Sequence, residues 1–216
     1  MSLNVKLAIF MGILILPCVA VHEYVHAWTA SKLGDWSSRR FGRMTLDPRP
    51  HIDKFGTLFL PGILLVIWAA GAFPPVFAYA KPQLVNTNSF RKPVRDTVWY
   101  ALSGPVANLA LAVAFGFGLR ALGSFGATFG VFLYAGLIVN VFLCVFNLMP
   151  IPGLDGAKLL ALVLPPRARQ LYERADEYLP LFILVVFFLL AGPLLGIVKI
   201  LGNALCRLIV GQDCLP

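Results

Sequence analysis

VHEYVHAW, residues 21–28, lies inside one of the most apolar segments of this chain, and it sets two imidazoles and a carboxylate where lipid or a packed interior is expected. His22 and His26 are four residues apart, so on a helix they share one face, one turn apart. Glu23 follows the first of them. HExxH on a helix is the arrangement in which two imidazoles bind zinc while the glutamate activates a water molecule. Five residues alone are a weak signal, and the plain alternative is a polar helix face. That alternative is unattractive here, because ionisable groups inside a membrane segment are costly and usually functional.

The surroundings decide that the segment is membranous. The chain has 216 residues, 59% hydrophobic and only 13% charged, with a mean hydropathy of +0.81. Soluble domains carry about a quarter charged residues. Uncharged runs cover 57–80, 97–119, 121–154 and 178–198, each longer than the roughly 20 residues a spanning helix needs. Residues 7–30 make a fifth run, interrupted by His22, Glu23 and His26. The expectation is an all-α polytopic membrane protein, a single membrane-embedded domain over 1–216. Lys6 followed by an apolar run looks like a signal peptide, but the run continues into the histidine motif without a small-residue cleavage site, so it reads as an uncleaved helix. The net charge of +8 does not indicate nucleic acid, because Lys and Arg fall in short connections between apolar runs, as topology signals and headgroup contacts do. The lipid bilayer is the expected partner.

A catalytic zinc takes three protein ligands and leaves one position for water. The chain has one further histidine, His51, in a basic connection. Of its ten acids only Glu23 and Asp155 lie outside charged connections. Asp155 ends FNLMPIPGLDG, residues 146–156, in which Pro150 and Pro152 disrupt helix geometry and Gly153 and Gly156 permit unusual dihedrals. Such a break at membrane depth is tolerated where it lines a cavity, and it could swing Asp155 towards the imidazoles. Two alternatives stay open: Asp155 as a helix cap, and His51 as third ligand. No CxxC pair exists, so thiolates are not expected to hold the metal; Cys18 and Cys144 read as small hydrophobes.

HEYVH at 22–26, SGPVAN at 103–108 and NLMPIPGLDG at 147–156 together resemble the three signatures of site-2 protease-type intramembrane zinc metalloproteases. GRMTLDPRPHIDKFGT, 42–57, and AYAKPQLVN, 79–87, further resemble the small bacterial and archaeal members without PDZ or CBS domains. The resemblance implies one Zn2+ held by His22, His26 and Asp155, with Glu23 as catalytic base, and a transmembrane protein as substrate. It also implies a membrane-re-entrant β element after the HExxH helix, about 39–87, with FGRMTL (41–46) and VFAYAKPQLV (76–85) as the candidate strands that would bind substrate.

If all five runs spanned, the eighteen Lys and Arg would divide nine to nine and give no orientation. If 57–80 enters and leaves on one face, as Pro61, Gly71, Pro74 and Pro75 allow, the clusters at 32–54, 81–95 and 158–174 join. Fourteen then face four, and the positive-inside rule puts the fourteen in the cytosol. That arrangement also ends the first helix and the 128–149 helix on one face, bringing both ligand groups to one depth. The expected architecture is about four transmembrane helices plus a re-entrant element, in the cell membrane, with the site open to the cytosol. Cys206 and Cys214 then lie outside the cytosol, eight residues apart, where a disulfide forms easily.

Asn147, two turns before Asp155, is the candidate oxyanion donor, with Asn140 and Asn108 as alternatives; any of them could instead be an interhelical packing amide. Gly104 and Pro105 read as structural, the one permitting close helix approach and the other suited to a helix first turn. The rival functions are a divalent-metal carrier or an inactive membrane scaffold using the same ligands. Substrate identity, gating and oligomeric state are not legible.

Overall fold

The computed structural model describes residues 2–71, 81, 85–122, 126–174 and 191–215, and among them every regular element is helical. Helix α1, Leu3–Leu33, runs unbroken through Pro17 and the histidine motif. It ends at Gly34, whose φ of 119° suits a residue without a side chain; the Gly34 and Asp35 amides both donate to the Ala30 carbonyl, at 3.1 and 2.9 Å. The short α2, Ser37–Arg40, follows. A π-helical turn, Lys54–Phe59, leads into α3, Leu60–Ala69. Helices α4, Pro93–Leu122, and α5, Ala127–Asn147, form an antiparallel pair. Two short helices, α6 (Asp155–Val163) and α7 (Pro166–Arg174), precede α8, Ala191–Val210. Three helices, α1, α4 and α5, are long and apolar enough to cross a membrane.

Helix α5 is the hub, packed against α1, α4 and α8. Leu137 and Val141 are wholly buried there, with Leu133, Ile138, Phe142 and Val145 close to it. Small residues set the spacing: a Cβ on Gly136 would strike the Phe115 ring of α4, and one on Gly116 would strike Ile209 of α8. Without a hydrophobic drive between helices in lipid, such close approach and the contacts it brings hold the bundle together.

Two ends of the bundle can be told apart. At one, the α1 terminus is tied to the approach to α4: Arg91 N–H donates to the Leu33 carbonyl at 3.1 Å, and Asn86 N–H to the buried Asp35 carboxylate at 2.9 Å. The Lys81 amide donates to the His51 carbonyl at 2.9 Å, so the excursion between them returns to its starting point. At the other end, Arg120 donates to the Ile209 carbonyl at 3.2 Å and the Tyr134 hydroxyl to the Cys214 carbonyl at 3.0 Å. Asn203 holds the tail there, accepting from the Cys214 and Leu215 amides. Cys206 and Cys214 are joined by the expected disulfide, their Cα atoms 5.9 Å apart. The Arg207 guanidinium hydrogen-bonds Asp213 and holds its carboxyl below the usual range.

Several expectations need correction. Residues 41–46 are not a strand. Gly42 turns at φ 68°, the Gly42 and Arg43 amides close back onto the Arg39 and Ser38 carbonyls, and the Asp47 amide bonds Thr45 Oγ1. These groups are spent in local turns, which leaves no ladder to share. The second candidate, 76–85, falls almost wholly outside the described residues, as do Pro74, Pro75 and most of the 178–198 run. Pro105 is not in a first turn but inside α4, where it removes the donor that would otherwise reach the Ala101 carbonyl.

Candidate active site

His22 and His26 lie on the buried face of α1, eleven and seven residues before its end. At 1.5 Å per residue they are roughly 16 and 10 Å from that end. Asp155 reaches them from the first position of α6. The chain leaves α5 at Asn147, turns through 148–154 with Gly153 at φ 87°, and restarts as helix at Asp155. Gly156 makes the fold-back possible, since a Cβ there would collide with the Leu148 carbonyl. Asp155 makes no capping hydrogen bond; its helix is capped by Leu154 without side-chain help. The carboxylate instead meets both rings. Oδ2 is 3.1 Å from His22 Nε2 and 2.9 Å from His26 Nε2, and the two Nε2 atoms are 3.1 Å apart.

The far side of each ring shows which nitrogens face inward. His26 Nδ1 is 2.9 Å from the Tyr100 carbonyl, an acceptor only, so Nδ1 carries the proton and Nε2 presents a lone pair. The Ser103 hydroxyl donates to the same carbonyl at 2.7 Å and offers its oxygen to His26 Nδ1 at 3.1 Å. His22 Nδ1 is 2.6 Å from Asn108 Oδ1. Three lone pairs therefore converge on one point, a set satisfied by a cation at its centre. Ligand atoms about 2.0–2.1 Å from one tetrahedral zinc stand roughly 3.3 Å from each other, and the observed spacings are within a few tenths of that. Among the described residues these three form the one group of His, Cys, Asp and Glu side chains that could hold a metal. Lys158, one turn beyond Asp155, places Nζ 3.0 Å from Asp155 Oδ1, so one carboxylate oxygen faces an ammonium and the other faces the imidazoles.

Glu23 is half-buried beside His22 on α1. His51 is not part of the group: it is buried elsewhere, its Nε2 donating to the Thr45 carbonyl at 3.0 Å. Asn147 ends α5 half-buried, one amide hydrogen donated to the Leu143 carbonyl at 2.8 Å. Asn108, wholly buried, holds an imidazole. Gly104 has a clear reason to be glycine, because a Cβ there would run into both ligand imidazoles at their Nε2 atoms. The sequence reading missed Tyr100, Ser103 and Lys158. Lys158 carried a signal in its three-residue spacing from Asp155, and Ser103 one in opening the SGPVAN stretch.

A profile of peptidase family M50 matches residues 124–191, the stretch that delivers Asp155. YwhC of Bacillus subtilis, provisionally named a zinc metalloprotease, is 32% identical over 186 residues, covering 82% of this chain and 80% of YwhC. Rip2 of Mycobacterium tuberculosis, with the same provisional description, is 34% identical over 173 residues, 78% of this chain and 62% of its own length. MJ0611 of Methanocaldococcus jannaschii is 32% identical over 142 residues, 64% and 62% respectively. No solved structure matches the chain.

Proposed function

The chain belongs to peptidase family M50, a zinc metalloprotease of the site-2 protease type, and from that premise we propose that it cleaves peptide bonds in or near transmembrane segments of membrane-protein substrates. The observation that carries the reading is the depth of the site. The imidazoles and the Asp155 carboxylate meet roughly 10–16 Å inside the end of an apolar helix, where a soluble substrate has no ready access.

Bound zinc supplies a Lewis acid that brings the pKa of a water molecule to about 7. His22, His26 and Asp155 would hold the ion, while Lys158 occupies the other oxygen of Asp155. Glu23, one residue along from His22, takes the proton of the attacking water and returns it to the leaving amine nitrogen. Asn147 would donate to the oxygen of the scissile carbonyl with the amide hydrogen that the Leu143 carbonyl does not take.

The site end faces the cytosol in this reading. Fourteen of the eighteen Lys and Arg are assigned to that end, in the clusters 32–54, 81–95 and 158–174, and four to the other, Lys6, Arg120, Lys199 and Arg207. The His51–Lys81 hydrogen bond supports a re-entrant path for the segment between them, because its two ends meet and the Arg49–His51 turn packs on α1. Four crossings follow in this reading, α1, α4, α5 and the uncharged run 178–198 that leads into α8.

Replacing Glu23 by Gln tests the assignment. Zinc content should be unchanged and cleavage lost, and proteomics of membranes from wild-type and Glu23→Gln cells should reveal a single-pass protein that accumulates uncut. A metal carrier or scaffold would show no such protein and would keep its function.

A further inference from the structure

The oxygen and nitrogen of an amide side chain are set by what each can bond, and Asn108 has two opposed tasks available. Presenting Oδ1 to His22 keeps the proton on Nδ1 and leaves Nε2 able to bind metal. Presenting Nδ2 instead would stabilise the other tautomer, with a proton on Nε2 where the metal belongs. Nothing within the pair chooses between them. The choice is made farther off. Asn108 Nδ2 donates to Asn140 Oδ1 at 2.9 Å. Asn140 in turn is oriented because its own Nδ2 donates to the Gly136 carbonyl at 2.8 Å and to Cys18 Sγ at 3.1 Å. A backbone carbonyl cannot donate, so it fixes the direction of every bond in the row.

We infer that Asn140, on α5, is a positioning residue that fixes the tautomer of His22 through Asn108. Both amides are wholly buried, so water does not compete for these bonds and each misdirected one costs the desolvation of its group. The inference rests on the zinc reading above. Partners of this kind behind a ligating imidazole affect metal affinity about 10–100-fold.

Two substitutions separate this role from simple packing. Asn140→Leu matches the volume and removes the acceptor. Asn140→Asp keeps an oxygen that accepts from Asn108, and when neutral it also donates to the Gly136 carbonyl. If Asn140 only fills space, Leu should be tolerated and a buried carboxyl should not. The row of bonds demands the reverse. In full-length protein purified in detergent, zinc affinity measured against a competing chelator should fall about 10–100-fold in Asn140→Leu and stay within about threefold of wild type in Asn140→Asp. Imidazole 15N spectra of zinc-free, histidine-labelled protein should show a proton on His22 Nδ1 in wild type and in Asn140→Asp, whether or not Nε2 carries a second one toward Asp155, and a bare Nδ1 in part of the Asn140→Leu population. Wild-type affinity in Asn140→Leu, or a better result for Leu than for Asp, overturns the inference. Should Asn140→Leu fail to fold, Asn140→Ser, whose hydroxyl is too short to reach Asn108, takes its place with the same two outcomes. Wild-type protein that binds no zinc would sink the protease reading instead, and the tautomer spectra would still judge the row of bonds.

Discussion

Gly104→Ala is the smallest change that should disable the site. A Cβ at 104 would stand 2.6 Å from His22 Nε2 and nearer still to His26 Nε2, whereas an ordinary contact begins near 3.4 Å. Either α4 or the rings must therefore yield by roughly 1 Å, and overpacking of that kind costs about 1–3 kcal/mol. Removing a glycine from a helix interior returns about 1 kcal/mol. The net loss of stability is thus small, about 0–2 kcal/mol, and the thermal midpoint in detergent with chelator present should move only a few degrees. The metal site should suffer far more, since the methyl enters the side where the ligating atoms converge. Zinc affinity should drop at least about tenfold, and cleavage of a transmembrane test substrate at saturating zinc about a hundredfold, as displacements near 1 Å do. Gly118→Ala on the same helix is the control. Its nearest neighbour would be Leu133 Cδ2 at 3.5 Å, so it should leave zinc binding alone and hold or raise stability. If Gly104→Ala bound zinc and cleaved like wild type, the close approach of α4 to the imidazoles would be refuted.

Three further outcomes are expected. Lys158→Met removes the cation that occupies Asp155 Oδ1, and zinc affinity should fall about tenfold while Lys158→Arg restores most of it, as read by chelator competition. Cys206→Ser opens the eight-residue loop and should cost about 2–3 kcal/mol, seen as a lower thermal midpoint with zinc stoichiometry intact. In whole cells, a cysteine at Phe41 should resist a membrane-impermeant maleimide and one at Gly211 should react, in a Cys206→Ser/Cys214→Ser background; reaction at both would overturn the assigned orientation.

What the sequence disclosed follows how local each feature is. His22 and His26 share a helix turn, so their spacing alone carried the geometry. Asp155 is 129 residues from His26, yet it was legible because Pro150, Pro152 and Gly153 announce a break beside an isolated acid. The disulfide was legible because its partners are eight residues apart. Where the outcome depended on how two helices rotate against each other, the residues were silent. The Tyr100 carbonyl and Ser103 meet His26 only because α4 lies against α1 at Gly104, and no pattern within 93–122 states that. Asn108 was legible as important but not in its role, since an amide is equally suited to packing, to an oxyanion and to an imidazole. The strand expected at 41–46 failed for the opposite reason. Its short-range turn chemistry, Gly42 with Thr45 and Asp47, outweighed an apolar-polar alternation too brief to insist on a partner.

The hydrogen bond between the Lys81 amide and the His51 carbonyl separates two things that a continuous chain would normally couple. With both feet of the intervening stretch pinned together beside α1, its length has no lever on the ligands. Doubling such a loop costs only about 0.6 kcal/mol in closure entropy, and the register of α4 against α1 would not change. Extra length between α3 and Lys81 would leave the chemistry where the long helices put it, whereas α3 itself is held on α1 with Leu64 buried.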